Sequence, residues 1–223
     1  DRGFGGQVLL LPPSIHNRED KPNRDNRLQL ADTVDLTAGD PMARMTTTRG
    51  LREQADPITM LTAYDATTAR LIDDCGIDIL LVGDSMGTEA LGYDSTLPVT
   101  VEAVENRTAA VARGSDNALV VADMPFLSVG VDESETVRNA GRMLKDAGAD
   151  AVKLESGPHT VEVTERLTQL GIPVMAHLGL TPQHVNQLGG YTRQGTTEAA
   201  AEEILSLARA HEDAGAFALV LEH

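Results

Sequence analysis

Tryptophan is absent from this 223-residue chain, and aromatic residues make up only 3% of it. A core must therefore be built from Val, Leu, Ile, Ala and Met. The single cysteine, Cys75, excludes an internal disulfide. It sits beside Gly76, a helix-closing position, and reads as packing rather than as a nucleophile. No apolar run approaches the ~20 residues of a membrane span. The stretch QVLLLPP, residues 7–13, has neither the charged leader nor the small-residue cleavage site of a secretory signal. A cytoplasmic protein is the simplest reading.

Lysine is scarce: Lys21, Lys145 and Lys153 are the only three, against fifteen Arg. With 34 acids and 18 bases the net charge is −16, which argues against nucleic acid, whose binding needs basic phosphate contacts. High acid with little Lys suits a surface working in concentrated salt, where screening removes self-repulsion. An ordinary soluble acidic enzyme is the alternative. The imbalance is uneven. Residues 1–44 carry seven acids and six bases, whereas residues 45–223 carry 27 and 12. The first segment, with PPSIHNREDKPNRDNR, is rich in Pro, Asn and Arg and has no period, so it reads as a disordered or non-native extension. Met45 is a candidate start for the remainder.

Beyond residue 57 six apolar runs stand out: ITMLTAYD (58–65), DILLVGDS (78–85), ALVVADMP (118–125), DAVKLESG (150–157), IPVMAHLG (172–179) and FALVLEH (217–223). They are continuous rather than alternating, as in strands covered on both faces. Amphipathic stretches separate them. Thr100 and Asp132 are expected N-caps, with Glu135 completing a capping box, and another stretch starts at Thr160. Gly76, Gly114, Gly148, Gly171 and Gly215 are expected stops. One phrase recurs: DAGADAVKLES at 146–156 and DAGAFALVLEH at 213–223. Helix end, turn, buried strand and carboxylate repeat as a unit, which implies a parallel α/β fold.

The ends of the runs favour a barrel over an open sheet. Asp65, Asp84, Asp123, Glu155, His177 and Glu222 stand at or near the C-terminal ends of successive runs. In a (βα)8 barrel those ends meet around one mouth. No Gly-x-Gly-x-x-Gly follows the first run, which weakens a dinucleotide-binding sheet. Carboxylates converging in a mouth repel one another unless a cation joins them, and an all-oxygen ligand set suits Mg²⁺. Asp84 and Asp123 are the candidate direct ligands, with Glu155 acting through water. Helix capping or loop salt bridges are the structural alternative for each acid. Lys153 faces the same side of its strand as Glu155 and would meet a bound anion or a neighbouring acid. Ser85 adjoins Asp84 and would donate to the same anion or cap the next turn. His177 is either a donor to substrate or a satisfied core histidine. Tyr64 and Tyr93 read as packing.

LLVGDSMG, GYDSTLPVT, ADMPF, VKLE, HLGLTPQ, GGY-x-x-QG and LVLE occur in this order from about residue 58 onward. The set resembles the ketopantoate hydroxymethyltransferase family, also named 3-methyl-2-oxobutanoate hydroxymethyltransferase. The resemblance implies a (βα)8 TIM barrel that assembles into homo-oligomers, usually decamers. It implies transfer of a one-carbon unit from 5,10-methylenetetrahydrofolate to 3-methyl-2-oxobutanoate with Mg²⁺, giving 2-dehydropantoate. Carried over by position, Asp84, Asp123 and Glu155 match the metal site. Ser85, Lys153 and Asp123 match residues that hold the keto acid, His177 matches a histidine near it, and Glu222 matches the proton acceptor. Eight strands are then needed and six runs are present. The expected fold is thus a barrel truncated at its C-terminus after about six strands, over residues 45–223. A phosphoenolpyruvate mutase/isocitrate lyase-type enzyme is the rival, although the Lys-x-x-Cys-Gly loop usual in such lyases is absent. An inactive fragment is the other alternative.

Overall fold

A computed structural model describes residues 6–10 and 46–222. Its strands are β1 (Gly6–Leu10), β2 (Met60–Thr62), β3 (Ile79–Val82), β4 (Leu119–Asp123), β5 (Ala151–Glu155), β6 (Val174–Gly179) and β7 (Ala218–Glu222). The helices are α1 (Thr48–Glu53), α2 (Ala66–Asp73), α3 (Met86–Glu89), α4 (Val101–Gly114), α5 (Glu133–Lys145), α6 (Val161–Gln169), α7 (Val185–Leu188) and α8 (Glu198–Asp213). All six apolar runs contain strands. From β2 to β7 each strand pairs in parallel with the next in sequence. The order never reverses, so the sheet winds in one direction only. Right-handed crossovers then put the connecting helices on one face, the winding of a barrel rather than of a doubly wound sheet.

Alternation along each strand divides the core. Leu80, Val82, Val120, Ala122, Val152, Leu154 and Val174 pack outward against Ala69, Val104, Val111, Ala140, Met143 and Leu167 of the helices. Ile79, Leu81, Leu119, Val121, Ala151, Met175, Ala218 and Val220 form a second, inner cluster. Leu51 of α1 belongs to that cluster and is fully buried, so α1 plugs the inner core. The inner parity continues to Asp123, Lys153, Glu155, His177 and Glu222. The same period-2 rule that buries the inner core therefore stacks the polar residues above it.

The helix signals behave as their chemistry dictates. Thr100 caps α4 through Ala103 N at 3.2 Å, and Asp132 caps α5 through Glu135 N at 2.8 Å, without the returning Glu135 side-chain bond that a capping box requires. Thr160 instead binds Gly157, its Oγ1 accepting from Gly157 N at 2.8 Å, and α6 starts one residue later. Two expectations are corrected. Cys75 is exposed in the turn after α2 rather than packed. Gly6–Leu10 lies within the segment expected to be disordered, yet forms a strand antiparallel to β7, from Gly6↔Glu222 to Leu10↔Ala218. Its run QVLLL has strong strand character, and β7 offers it a row of backbone groups. The rest of residues 1–44 lies outside the described residues.

Candidate active site

Asp84 stands just past β3 in the turn Gly83-Asp84-Ser85. A Cβ at Gly83 would lie 2.8 Å from Ser85 Oγ, so any side chain there would push the Ser85 hydroxyl from its place. The Asp84 amide donates to Asp123 Oδ2 at 3.3 Å, joining the ends of β3 and β4. Across the β4–β5 register, Asp123 is paired with Lys153, whose Nζ lies 2.7 Å from Oδ2. The other oxygen, Asp123 Oδ1, is buried and receives no hydrogen bond among the described residues.

The electrostatics of this bowl are one-sided. Burial, then the charge of Asp123, push Asp84 up to about 8, against the pull of Lys153 and Gln183. Burial works to lower Lys153, but Asp123, Asp84 and Glu155 outweigh it and hold its ammonium above the usual lysine range. One lysine faces three acids. A carboxylate oxygen with no donor and a neighbouring acid driven toward neutrality form an environment that a hard cation would suit. Asp84 and Asp123 therefore fit a divalent ion.

Glu155 behaves differently. Both its oxygens accept from the Gln183 amide, at 2.9 and 3.0 Å, and His184 Nδ1 lies 3.3 Å from Oε2. That hydrogen bond raises His184 above the ordinary histidine value. Glu155 thus anchors the short turn Pro182–His184, and Asp84, Asp123 and Glu155 form no three-ligand cluster among the described residues. Asp65, another strand-end acid, is exposed and engaged by the helix that follows it. It caps α2, accepting from Thr67 N and Thr68 N at 2.9 Å each.

At the other side, His177 Nδ1 is 3.4 Å from Lys153 Nζ, and Nε2 is 3.2 Å from Glu222 Oε2 without hydrogen-bond alignment. Lysine has no acceptor, so Nδ1 accepts and the ring proton belongs on Nε2, facing Glu222. Gly179, at φ 88°, is what lets the ends of β6 and β7 meet. A side chain there would collide with the Glu222 carbonyl, which accepts from Leu180 N at 2.7 Å. Ser85 Oγ lies 3.0 Å from the Tyr64 hydroxyl, so Tyr64 does more than pack.

Sequence reasoning missed Gln183, His184 and this role of Tyr64. For the first two the available signal was the proline opening a turn in HLGLTPQ.

Residues 43–223 match the ketopantoate hydroxymethyltransferase family. The chain belongs to this family. Among curated 3-methyl-2-oxobutanoate hydroxymethyltransferases, that of Halobacterium salinarum is 71% identical over 171 residues, 77% of this chain and 62% of the relative. That of Haloarcula marismortui is 68% identical over 181 residues, 80% of this chain and 67% of the relative. That of Syntrophus aciditrophicus is 54% identical over 174 residues, 78% and 64% of the two chains. The chain thus spans about 62% of the length of the Halobacterium protein.

Solved structures share the fold of this ketopantoate hydroxymethyltransferase family member. Phosphoenolpyruvate phosphomutase of Streptomyces platensis subsp. rosaceus matches with TM-score 0.57 at 17% identity, over 76% of this chain and 62% of that one. Phosphonopyruvate hydrolase, solved with oxalate and Mg²⁺, matches with TM-score 0.57 at 15% identity, over 77% and 61%. 2,3-Dimethylmalate lyase, of the PEP mutase/isocitrate lyase superfamily, matches with TM-score 0.51 at 20% identity, over 76% and 59%. At these identities the likeness is one of fold.

Proposed function

We propose that the chain acts as a 3-methyl-2-oxobutanoate hydroxymethyltransferase. The keto acid would be the acceptor, 5,10-methylenetetrahydrofolate the one-carbon donor, and 2-dehydropantoate the product, which opens pantothenate and coenzyme A synthesis. Family membership supplies the substrate class. The observation that carries the reading is the bowl itself. A carboxylate pair that a single lysine only partly balances, Asp84 and Asp123, lies on one side, and a carboxylate, Glu222, lies on the other, with Lys153 and His177 between them.

Asp84 and Asp123 would hold Mg²⁺, with Glu155 reaching it only through water. When bound, Mg²⁺ supplies Lewis-acid polarisation of the keto acid's oxygens. Lys153 provides a fixed, buried positive charge for the keto acid's negative end, and Ser85, its hydroxyl placed by Tyr64, provides a hydroxyl for the same group. Glu222 takes the C3 proton, a general-base role typically worth ~10²–10⁴ in rate. His177 sets its Nε2 beside Glu222 Oε2, a polar neighbour for the carboxylate as it takes the proton. The apolar floor of Leu81, Val121 and Val220 keeps water away from below.

Under the same reading residues 45–223 make up most of a (βα)8 barrel, and the working assembly is a homo-oligomer, a decamer in the complete form. The test is exchange of the C3 proton of 3-methyl-2-oxobutanoate into deuterated water with Mg²⁺, together with folate-dependent consumption of the keto acid. Absence of both in folded protein would overturn the reading.

A further inference from the structure

We infer that Gln183 is a positioning residue that sets Asp84 for its cation. The inference rests on the reading of Asp84 and Asp123 as the cation site. Gln183 lies on no strand, yet it ties three strand ends together. Its Nε2 donates to Asp84 Oδ2 at 2.8 Å and to the Met124 carbonyl at 2.9 Å. Its backbone amide donates to both oxygens of Glu155. The residue is 8% exposed, so these bonds face little competition from water.

The amide orientation follows from its partners. Both are acceptors, so the nitrogen and not the oxygen must face them, and both of its protons are used. Asp84 is thereby fixed through Oδ2, and no described donor reaches its Oδ1. On Asp123 the roles match: Oδ2 is taken by Lys153 and Oδ1 is buried without a partner. Each aspartate is held by one oxygen and offers the other.

The residue type matters. An arginine or lysine at this position would neutralise Asp84 and compete with the cation. A hydroxyl has one proton and could not serve Asp84 and Met124 at once. A carboxylate would be repelled. A neutral amide orients the ligand while leaving its charge available. Hydrogen-bonding partners of metal ligands typically contribute about 10–100-fold in metal affinity.

The test uses Mn²⁺ alone, titrated into the full chain and followed by electron paramagnetic resonance, with no keto acid present. Melting in EDTA is measured alongside. Gln183→Met keeps length and removes the donor, and should weaken Mn²⁺ binding about tenfold or more. Gln183→Asn keeps the amide but withdraws it by one methylene. It should show the same loss and decides the matter if the Met variant does not fold. Unchanged Mn²⁺ affinity in the folded variants, with only a lower melting temperature, would reduce Gln183 to a loop brace and overturn the inference. A wild-type chain that binds no Mn²⁺ would overturn the cation reading itself and this inference with it.

Discussion

His177 Nε2 faces Glu222 Oε2 at 3.2 Å, across the junction of β6 and β7. Because Lys153 can only donate to Nδ1, the ring proton lies on the Glu222 side, close to the carboxylate though not aligned on it as a hydrogen bond. His177→Phe removes both contacts while keeping a ring in the strand. It should slow C3-proton exchange by about 10-fold, less than the ~10²–10⁴ expected for loss of the general base itself. Keto acid affinity should change far less. An unaltered exchange rate, read by proton NMR, would show that Glu222 needs no such partner.

Glu222→Gln keeps shape and loses basicity. Exchange should fall by about 10²–10⁴-fold, with keto acid binding largely retained. Exchange at the wild-type rate would move the base elsewhere, and His177 would be the next residue to vary.

The substitution Asp84→Asn bears on the cation. It should abolish dependence on divalent ions and weaken the keto acid together, since both are expected to meet at this carboxylate. Keto acid affinity that stays unchanged by calorimetry, with Mg²⁺ present, would exclude a shared site.

The strands and the inner-face residues were legible because they obey a local rule. Each apolar run ends in a polar residue, and period-2 alternation carries Asp123, Lys153, Glu155, His177 and Glu222 to one face. Asp65 shows the limit of that rule. In a short strand-to-helix connection the strand-end acid and the helix N-cap coincide, and the free amides of Thr67 and Thr68 claimed it. Glu155 was found at the right place with a different partner, because the Gln183 amide lies 28 residues further on. Gly6–Leu10 pairs with a strand more than two hundred residues away, beyond the reach of any local pattern.

Asp73 should govern acid stability. It is buried at the end of α2 and accepts from Ala118 N at 2.7 Å, Ser115 Oγ at 2.9 Å, Asn117 Nδ2 at 3.0 Å and Asp116 N at 3.1 Å. Burial alone would raise it, but the donors together outweigh burial and hold it below the usual aspartate value. The folded protein therefore favours the charged form more than the unfolded chain does. The contribution is present above the unfolded value near ~3.9 and is lost as pH falls through the lower folded value. Asp73→Asn should cost about 3 kcal/mol at neutral pH and flatten stability below pH ~4. Urea unfolding across that range measures both, and a variant with the wild-type acid slope would assign the sensitivity to other groups.

Salt should stabilise the protein. The net charge is −16, and the acids on the outside outnumber their partners. Arg49, Arg142 and Arg166 pair with Glu53, Glu102, Glu105 and Glu133. Glu198, Glu202 and Glu203 lie exposed in the first turns of α8, and no described ion pair reaches them. At low ionic strength such charges repel over about 10 Å, and at molar salt over about 3 Å. The buried charges of the bowl are shielded from this effect by the protein around them, so the gain should come from the surface. Raising KCl from 0.1 M to 2 M should lift the melting temperature by roughly 2–8 °C, the shift that one to two kcal/mol produces in a domain of this size. Replacing Glu198, Glu202 and Glu203 together by Gln should remove part of that dependence while raising stability at low salt. Equal melting temperatures across the range would mean that the acidic surface serves solubility alone.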